Sequence, residues 1–76
     1  MLNELIAKFK SYEDCEEYTS HSGKKCYRTY GDLGYYLYLC YKYNLKTEST
    51  GDFSKIAKGN GFELEYCEHD IILAID

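Results

Sequence analysis

The sequence predicts an α+β domain: an N-terminal helix, a β-hairpin, a short helix and a C-terminal strand pair, in the order α-β-β-α-β-β. Three observations predict it. Leu2, Leu5, Ile6 and Phe9 recur at i, i+3, i+4 and i+7, the stripe of an amphipathic helix. Phe62, Leu64 and Tyr66 alternate with Glu63, Glu65 and Cys67, the two-residue period of a half-buried strand. Ile71 to Ile75 is a continuous apolar run of strand length, reached through Glu68-His69-Asp70. An antiparallel sheet with the helices on one face would bury all three stripes in one core.

The elements follow in order. The first helix is expected over residues 2–19 with a break near Lys10. Ser11 reads as a fresh N-cap with Glu13 and Asp14 in its first turn, and Tyr12, Cys15 and Tyr18 share a face. Thr19 to Gly23 is a loop of short polar residues. Residues 24–46 are ambiguous, because Leu33, Tyr36, Leu37, Cys40 and Tyr41 fit a helical period. Gly31-Asp32-Leu33-Gly34 nevertheless looks like a turn between Lys25–Tyr30 and Tyr35–Tyr43, and rings favour strands, so a hairpin is expected. Thr47 to Gly51 is a second loop. Asp52 then caps a short helix, Phe53 to Lys58, with Lys55 and Lys58 at its C-terminal end. Gly59-Asn60-Gly61 ends that helix. In this register Leu37, Leu39, Phe62, Leu64, Ile71, Leu73 and Ile75 face the helices. Tyr27, Tyr36, Tyr38, Lys42, Glu63 and Glu65 face away from them.

Seventy-six residues make one domain, 1–76, with no linker, repeat or proline. So short a chain buries only about 60% of the surface it exposes when unfolded, which leaves little room for a deep substrate cleft. At 45% hydrophobic and 29% charged the composition is that of a globular domain. No apolar stretch approaches the roughly 20 residues of a membrane span. The N-terminal residues carry an early Glu4 and no apolar h-region, so a cytoplasmic protein is expected. Cys15, Cys26, Cys40 and Cys67 then read as reduced thiols. Their spacing lacks the close pairs of a structural zinc site, Cys67 and His69 being the one near pair, and no metal or other cofactor is expected.

Catalytic constellations are absent from the pattern. His21 lies between two serines and His69 between two carboxylates, but neither is accompanied by a nucleophile and an oxyanion site. Ser22-Gly23-Lys24-Lys25 lacks the upstream glycine and the closing Ser/Thr of a phosphate loop. A non-enzymatic binding protein is therefore expected, with no catalytic residues.

Charge and tyrosine content suggest what it binds. The net charge is −4. Residues 11–20 hold four carboxylates and residues 61–76 hold five, with no Lys or Arg in either segment. Residues 21–60 carry seven basic and three acidic groups. Direct binding of nucleic acid, which needs clustered Lys and Arg, is not expected. A protein partner with a basic surface is, nucleic-acid-binding complexes included. Ten tyrosines supply rings with polar tips suited to an interface. The candidate contact residues are Tyr36, Tyr38, Glu63 and Glu65, with Glu13, Asp14, Glu16 and Glu17.

Two resemblances extend this reading. Small size, acidity and tyrosine richness together resemble the small inhibitors that phages use against host defences, anti-CRISPR proteins among them. That likeness implies an inhibitor whose acidic segments mimic nucleic-acid phosphates and occupy a basic groove. Residues 52–64, from Asp52 through Lys55-Ile56-Ala57-Lys58 to Leu64, are similar to the end of antitoxin-type helix-turn-helix domains. There a helix runs into glycine and a strand, which implies the alternative of a small nucleic-acid-binding transcriptional regulator.

Overall fold

In the computed structural model, which describes all residues from Met1 to Asp76, the N-terminal stripe forms helix α1, Leu2–Lys10. Leu5 and Phe9 are wholly buried, and Leu2 and Ile6 pack at the margin of the core. The helix does not continue to residue 19. Ser11 closes it: the backbone N–H bonds the Ala7 and Lys8 carbonyls, and the hydroxyl donates to the Lys8 carbonyl at 2.6 Å. Ser11 thus ends α1, and no second helix starts from it. Asp14, expected in a helical first turn, accepts hydrogen bonds instead from Thr29 Oγ1 at 2.6 Å and the Tyr30 N–H at 2.8 Å. Residues Glu16–Thr19 are thereby laid down as strand β1 against β2, Lys25–Tyr30.

The expected second strand of the hairpin is helix α2, Leu33–Lys42. The Asp32 carboxylate accepts from the Tyr35 N–H at 2.8 Å, an N-cap. Tyr36, Leu39, Cys40 and Tyr43 form the buried stripe. Ring preference for strands is a weak bias, and a capped stripe that meets an apolar sheet overrides it. Gly31 serves a different purpose from a hairpin turn. A Cβ there would lie 2.6 Å from Ile71 Cδ1, so the chain crosses closely over the neighbouring strand at that point.

The remainder is all strand: β3 (Thr47–Gly51), β4 (Ser54–Gly59), β5 (Phe62–Cys67) and β6 (Asp70–Ile75). The expected loop at 47–51 and helix at 53–58 together make the β3–β4 hairpin. Asn60-Gly61 is the two-residue turn into β5, with Gly61 at φ 84°, and not a helix end. Pairing along β4 satisfies its backbone on both sides, which a helix of so few residues could not do. The helix implied by the antitoxin likeness is therefore not formed. Glu68 and His69 turn β5 into β6, both with positive φ.

The six strands form one antiparallel sheet in the order β1-β2-β6-β5-β4-β3, two strands more than expected. Register places Tyr27, Leu73, Leu64 and Ala57 side by side across four strands. They share one core cluster with Leu5, Phe9, Tyr36, Leu39, Cys40 and Tyr43 of the helical segments. Tyr27, expected on the other side, is therefore a core residue. The intervening positions make a second row, Glu16-Arg28-Ile72-Glu65-Ile56-Glu48, on the opposite, open face. Both edges are blunted, β1 by its charges and β3 by a bulge at Thr50. No helix is long and apolar enough to cross a membrane.

Candidate functional site

The open face is built by strand alternation, so each side chain on it is held by a paired backbone. Its central row is the one just described. A parallel row runs Tyr18-Cys26-Ala74-Glu63-Lys58. Cys26 and Ala74 are almost fully buried beneath taller neighbours, and Tyr18 stands partly exposed at one side.

Two cations of this face, Arg28 and Lys24, are engaged, while Lys58 at the β4 end of that parallel row enters no ion pair. Arg28 Nη2 meets Glu16 Oε2 at 2.7 Å, and its Nη1 lies 3.9 Å from Asp70 Oδ2, a clamp across β1, β2 and β6. Lys24 Nζ lies 3.4 Å from Glu63 and 3.2 Å from Asp76. Glu65 takes part in no ion pair. Its cross-strand neighbours are Ile56 on β4 and Ile72 on β6. Burial, and then the charge of Glu63, push its carboxyl above the ordinary carboxylate range, only partly offset by Lys24. A shallow hollow of about 360 Å³ borders it, lined by Ile56, Ser54, Lys55, Tyr66, Cys67 and Thr50. The centre of the face is thus a half-buried carboxylate with aliphatic walls and no cation of its own. It can receive a positive group.

A larger hollow of about 460 Å³ lies at the β5–β6 turn, lined by Phe53, Tyr66, Glu68 and His69. His69 stacks on Tyr30 there, with ring centroids 6.1 Å apart. Its lining contains no Ser, Thr or Cys for an imidazole to activate. No group of three or more His, Cys, Asp or Glu side chains is placed to hold a metal ion, and the four cysteines are unpaired.

Of the candidate contact residues, Glu63 and Glu65 stand together on the open face. Tyr36 does not join them. It is wholly buried on α2, its hydroxyl bonded to Thr47 Oγ1 at 2.9 Å and to the Leu64 carbonyl at 3.0 Å, and burial pushes its phenol pKa well above the ordinary tyrosine value. It is a core residue, because the helix turns it onto the sheet. Tyr38 is half exposed on the outer side of α2, stacked on Tyr35, away from Glu63 and Glu65.

The run at 13–17 is dispersed. Asp14 is held below the ordinary carboxylate range by the Thr29 hydroxyl and the Tyr30 N–H. Glu16 pairs with Arg28, and Glu17 with Lys25 at 3.3 Å. Glu13 alone is exposed without an ion pair or side-chain hydrogen bond. The basic middle segment folds across and neutralises carboxylates that have no Lys or Arg near them in sequence.

Sequence reasoning missed Ile56, Ile72 and Arg28, and the two tyrosines that do flank this face, Tyr18 and Tyr30. For Ile72 there was a signal: an unbroken apolar run makes both faces of a strand apolar, not one. For Ile56 there was none, because a helix was expected there. No protein-family model, no curated protein and no solved structure matches this chain.

Proposed function

We propose that the chain is a non-catalytic binding protein, an inhibitor or adaptor, that docks on a basic protein surface through the open face of its sheet. Glu65 is the receptor for a cationic side chain of the partner. The observation that carries this reading is a half-buried carboxylate between Ile56 and Ile72 that enters no ion pair, on a face where Arg28 and Lys24 are already engaged with other carboxylates. Much of the desolvation cost of that carboxylate is already met in the free protein, so an incoming cation gains attraction against a smaller penalty. Arginine suits the site best. Its aliphatic stem packs on isoleucine while its fork meets the carboxylate. Tyr18 and Tyr30 supply the rings, in place of Tyr36 and Tyr38. A partner that itself holds nucleic acid fits the same chemistry, since its phosphate-binding groove presents arginines.

The test is a titration of isotope-labelled protein, followed by amide chemical shifts, with a short extended peptide holding one arginine between valines. The same peptide with citrulline in its place is the control. The expected result is shifts at Ile56, Glu65 and Ile72 with the arginine peptide, absent with citrulline and absent in Glu65→Gln. Equal response to both peptides, or shifts confined to α2, would overturn the reading.

A further inference from the structure

The hollow of about 460 Å³ at the β5–β6 turn, lined by Phe53, Tyr66, Glu68 and His69, plays no part in the Glu65 face. The turn that builds it is unfavourable for its sequence. Cys67 pairs with Asp70, so Glu68 and His69 are its two central residues, with φ 43° and 73°. Two positive φ values in a two-residue turn suit Asn-Gly, and residues such as Glu and His adopt them at a cost in stability. The neighbouring β4–β5 turn meets its one positive φ with glycine, at Gly61. What the β5–β6 turn gains over Asn-Gly is two side chains in the hollow.

The lining is held in place. His69 stacks on Tyr30 with ring centroids 6.1 Å apart, and its carbonyl accepts from the Gly31 N–H at 2.7 Å. The Glu68 N–H donates to the Phe53 carbonyl at 3.4 Å, which ties the β3–β4 turn to the β5–β6 turn. Tyr66 is backed by Tyr36, with ring centroids 5.7 Å apart. Phe53, by contrast, is a large ring left 70% exposed. Neither Glu68 nor Asp52 enters an ion pair. Lys55, across from Tyr66, donates to Ser49 Oγ at 2.9 Å. This end of the sheet is therefore aromatic and negative.

We propose that this hollow binds a trimethylammonium group. Ring faces attract such a cation through their quadrupoles, and Glu68 supplies the counter-charge. Its methyl groups carry no hydrogen-bond donors, so none is left unpaired against the rings. An unmodified ammonium is strongly hydrated and brings three donors, and a guanidinium brings five, to a lining whose one carboxylate cannot satisfy them. An anion is repelled by Glu68. The same head group can arrive on a lysine side chain of a partner protein or on a free small molecule such as choline. The site is separate from Glu65 and does not rest on the role given to that residue.

Titration of the isotope-labelled full chain with choline, followed by chemical shifts, tests this. Shifts are expected at Phe53, Tyr66, Glu68 and His69, with a dissociation constant of about a millimolar. The neutral isostere of choline, with carbon in place of nitrogen, should bind at least about fivefold more weakly. Phe53→Ala should weaken choline binding by a similar factor at an unchanged melting temperature, since the ring is exposed. Glu68→Asn with His69→Gly should abolish binding and raise the melting temperature by roughly 4–8 °C, as the turn loses its unfavourable residues. Glu65→Gln should leave choline binding unchanged, which separates the two sites. A peptide holding one trimethyllysine distinguishes the sources. Tighter binding than choline assigns the group to a protein partner, and binding no tighter assigns it to a free molecule. No shifts at these residues up to about 20 mM choline, equal binding of the neutral isostere, equal binding of the same peptide with unmodified lysine, or a double variant that still binds would overturn the proposal.

Discussion

Residues 13–17 and 63–65 carry the same chemistry in sequence and come to opposite ends in the fold. In the first segment Asp14 is locked onto Thr29 and Tyr30, Glu16 onto Arg28 and Glu17 onto Lys25. In the second, Glu63 shares Lys24 with Asp76, while Glu65 sits between two isoleucines without a cation. The two carboxyls at the extremes are pushed in opposite directions, Asp14 down by hydrogen bonds and Glu65 up by burial. Whether a carboxylate is free for a partner depends on the residue across the sheet, not on how acidic its own segment is.

The largest expected effect that would sharpen this contrast is Asp14→Ala. It strands the buried Thr29 hydroxyl and releases the start of β1, and the melting temperature should fall by roughly 5–10 °C. Asp14→Asn, which keeps one acceptor, should fall less. An unchanged melting temperature would break the contrast, since Asp14 would then be as available as Glu65.

Tyr36→Phe comes next. Removing the hydroxyl leaves Thr47 Oγ1 and the Leu64 carbonyl short of a partner, a loss of about 1–2 kcal/mol by chemical denaturation. Tyr38→Phe, on the exposed side of the same helix, should leave stability within about 0.5 kcal/mol of wild type.

Glu65→Gln should act in the opposite sense and raise the melting temperature at neutral pH by about 2–4 °C, while removing the response to the arginine peptide. The pH dependence follows from the two shifts. Asp14, lowered in the fold, contributes stability above the ordinary carboxylate pKa that is lost as pH falls through its lowered value. Glu65, raised in the fold, holds more protons folded than unfolded, so stability falls as pH rises from the ordinary value through the raised one. In melts across that range, Glu65→Gln should remove the falling limb and Asp14→Asn the acid-side rise.

The smallest effect is expected for Glu17→Gln, which breaks a surface pair with Lys25 and should stay within about 0.5 kcal/mol of wild type. A loss as large as that of Asp14→Ala would mean that the edge strand, not Asp14, organises this end of the sheet.

Helix α1 and strands β5 and β6 were legible because their apolar period is local and the face it defines is the face that is buried. Phe62, Leu64, Ile71 and Leu73 all lie in the core as the alternation predicts. Residues 33–42 and 53–58 were not legible. The first matches a helical stripe and a ring-rich strand equally well, and the second has a capping Asp and a Lys-rich end that suit a helix. For the candidate site, the outward placement of Glu63 and Glu65 followed from alternation alone. Their setting did not, because Ile56 lay in a misassigned segment and Lys24 and Arg28 reach their carboxylates only through strand pairing.

What the sequence by itself determined is the α+β class, the helical stripe of Leu5 and Phe9, the C-terminal strand pair, and a carboxylate pair facing away from the core. Each rests on side-chain periodicity, which is a property of neighbouring residues. What only the tertiary structure decided is that Asp14 is a staple, Tyr36 a core residue, residues 53–58 a strand, and Glu65 the carboxylate without a cation. Each depends on a partner brought alongside by strand or helix packing: Thr29 for Asp14, Leu64 for Tyr36, Cys67 to Glu63 for Ser54 to Lys58, and Ile56 and Ile72 for Glu65. Hydrogen bonds and ion pairs act over a few ångströms in space, so the pairing of distant segments, and not local composition, settles which charges and rings are spent inside the fold.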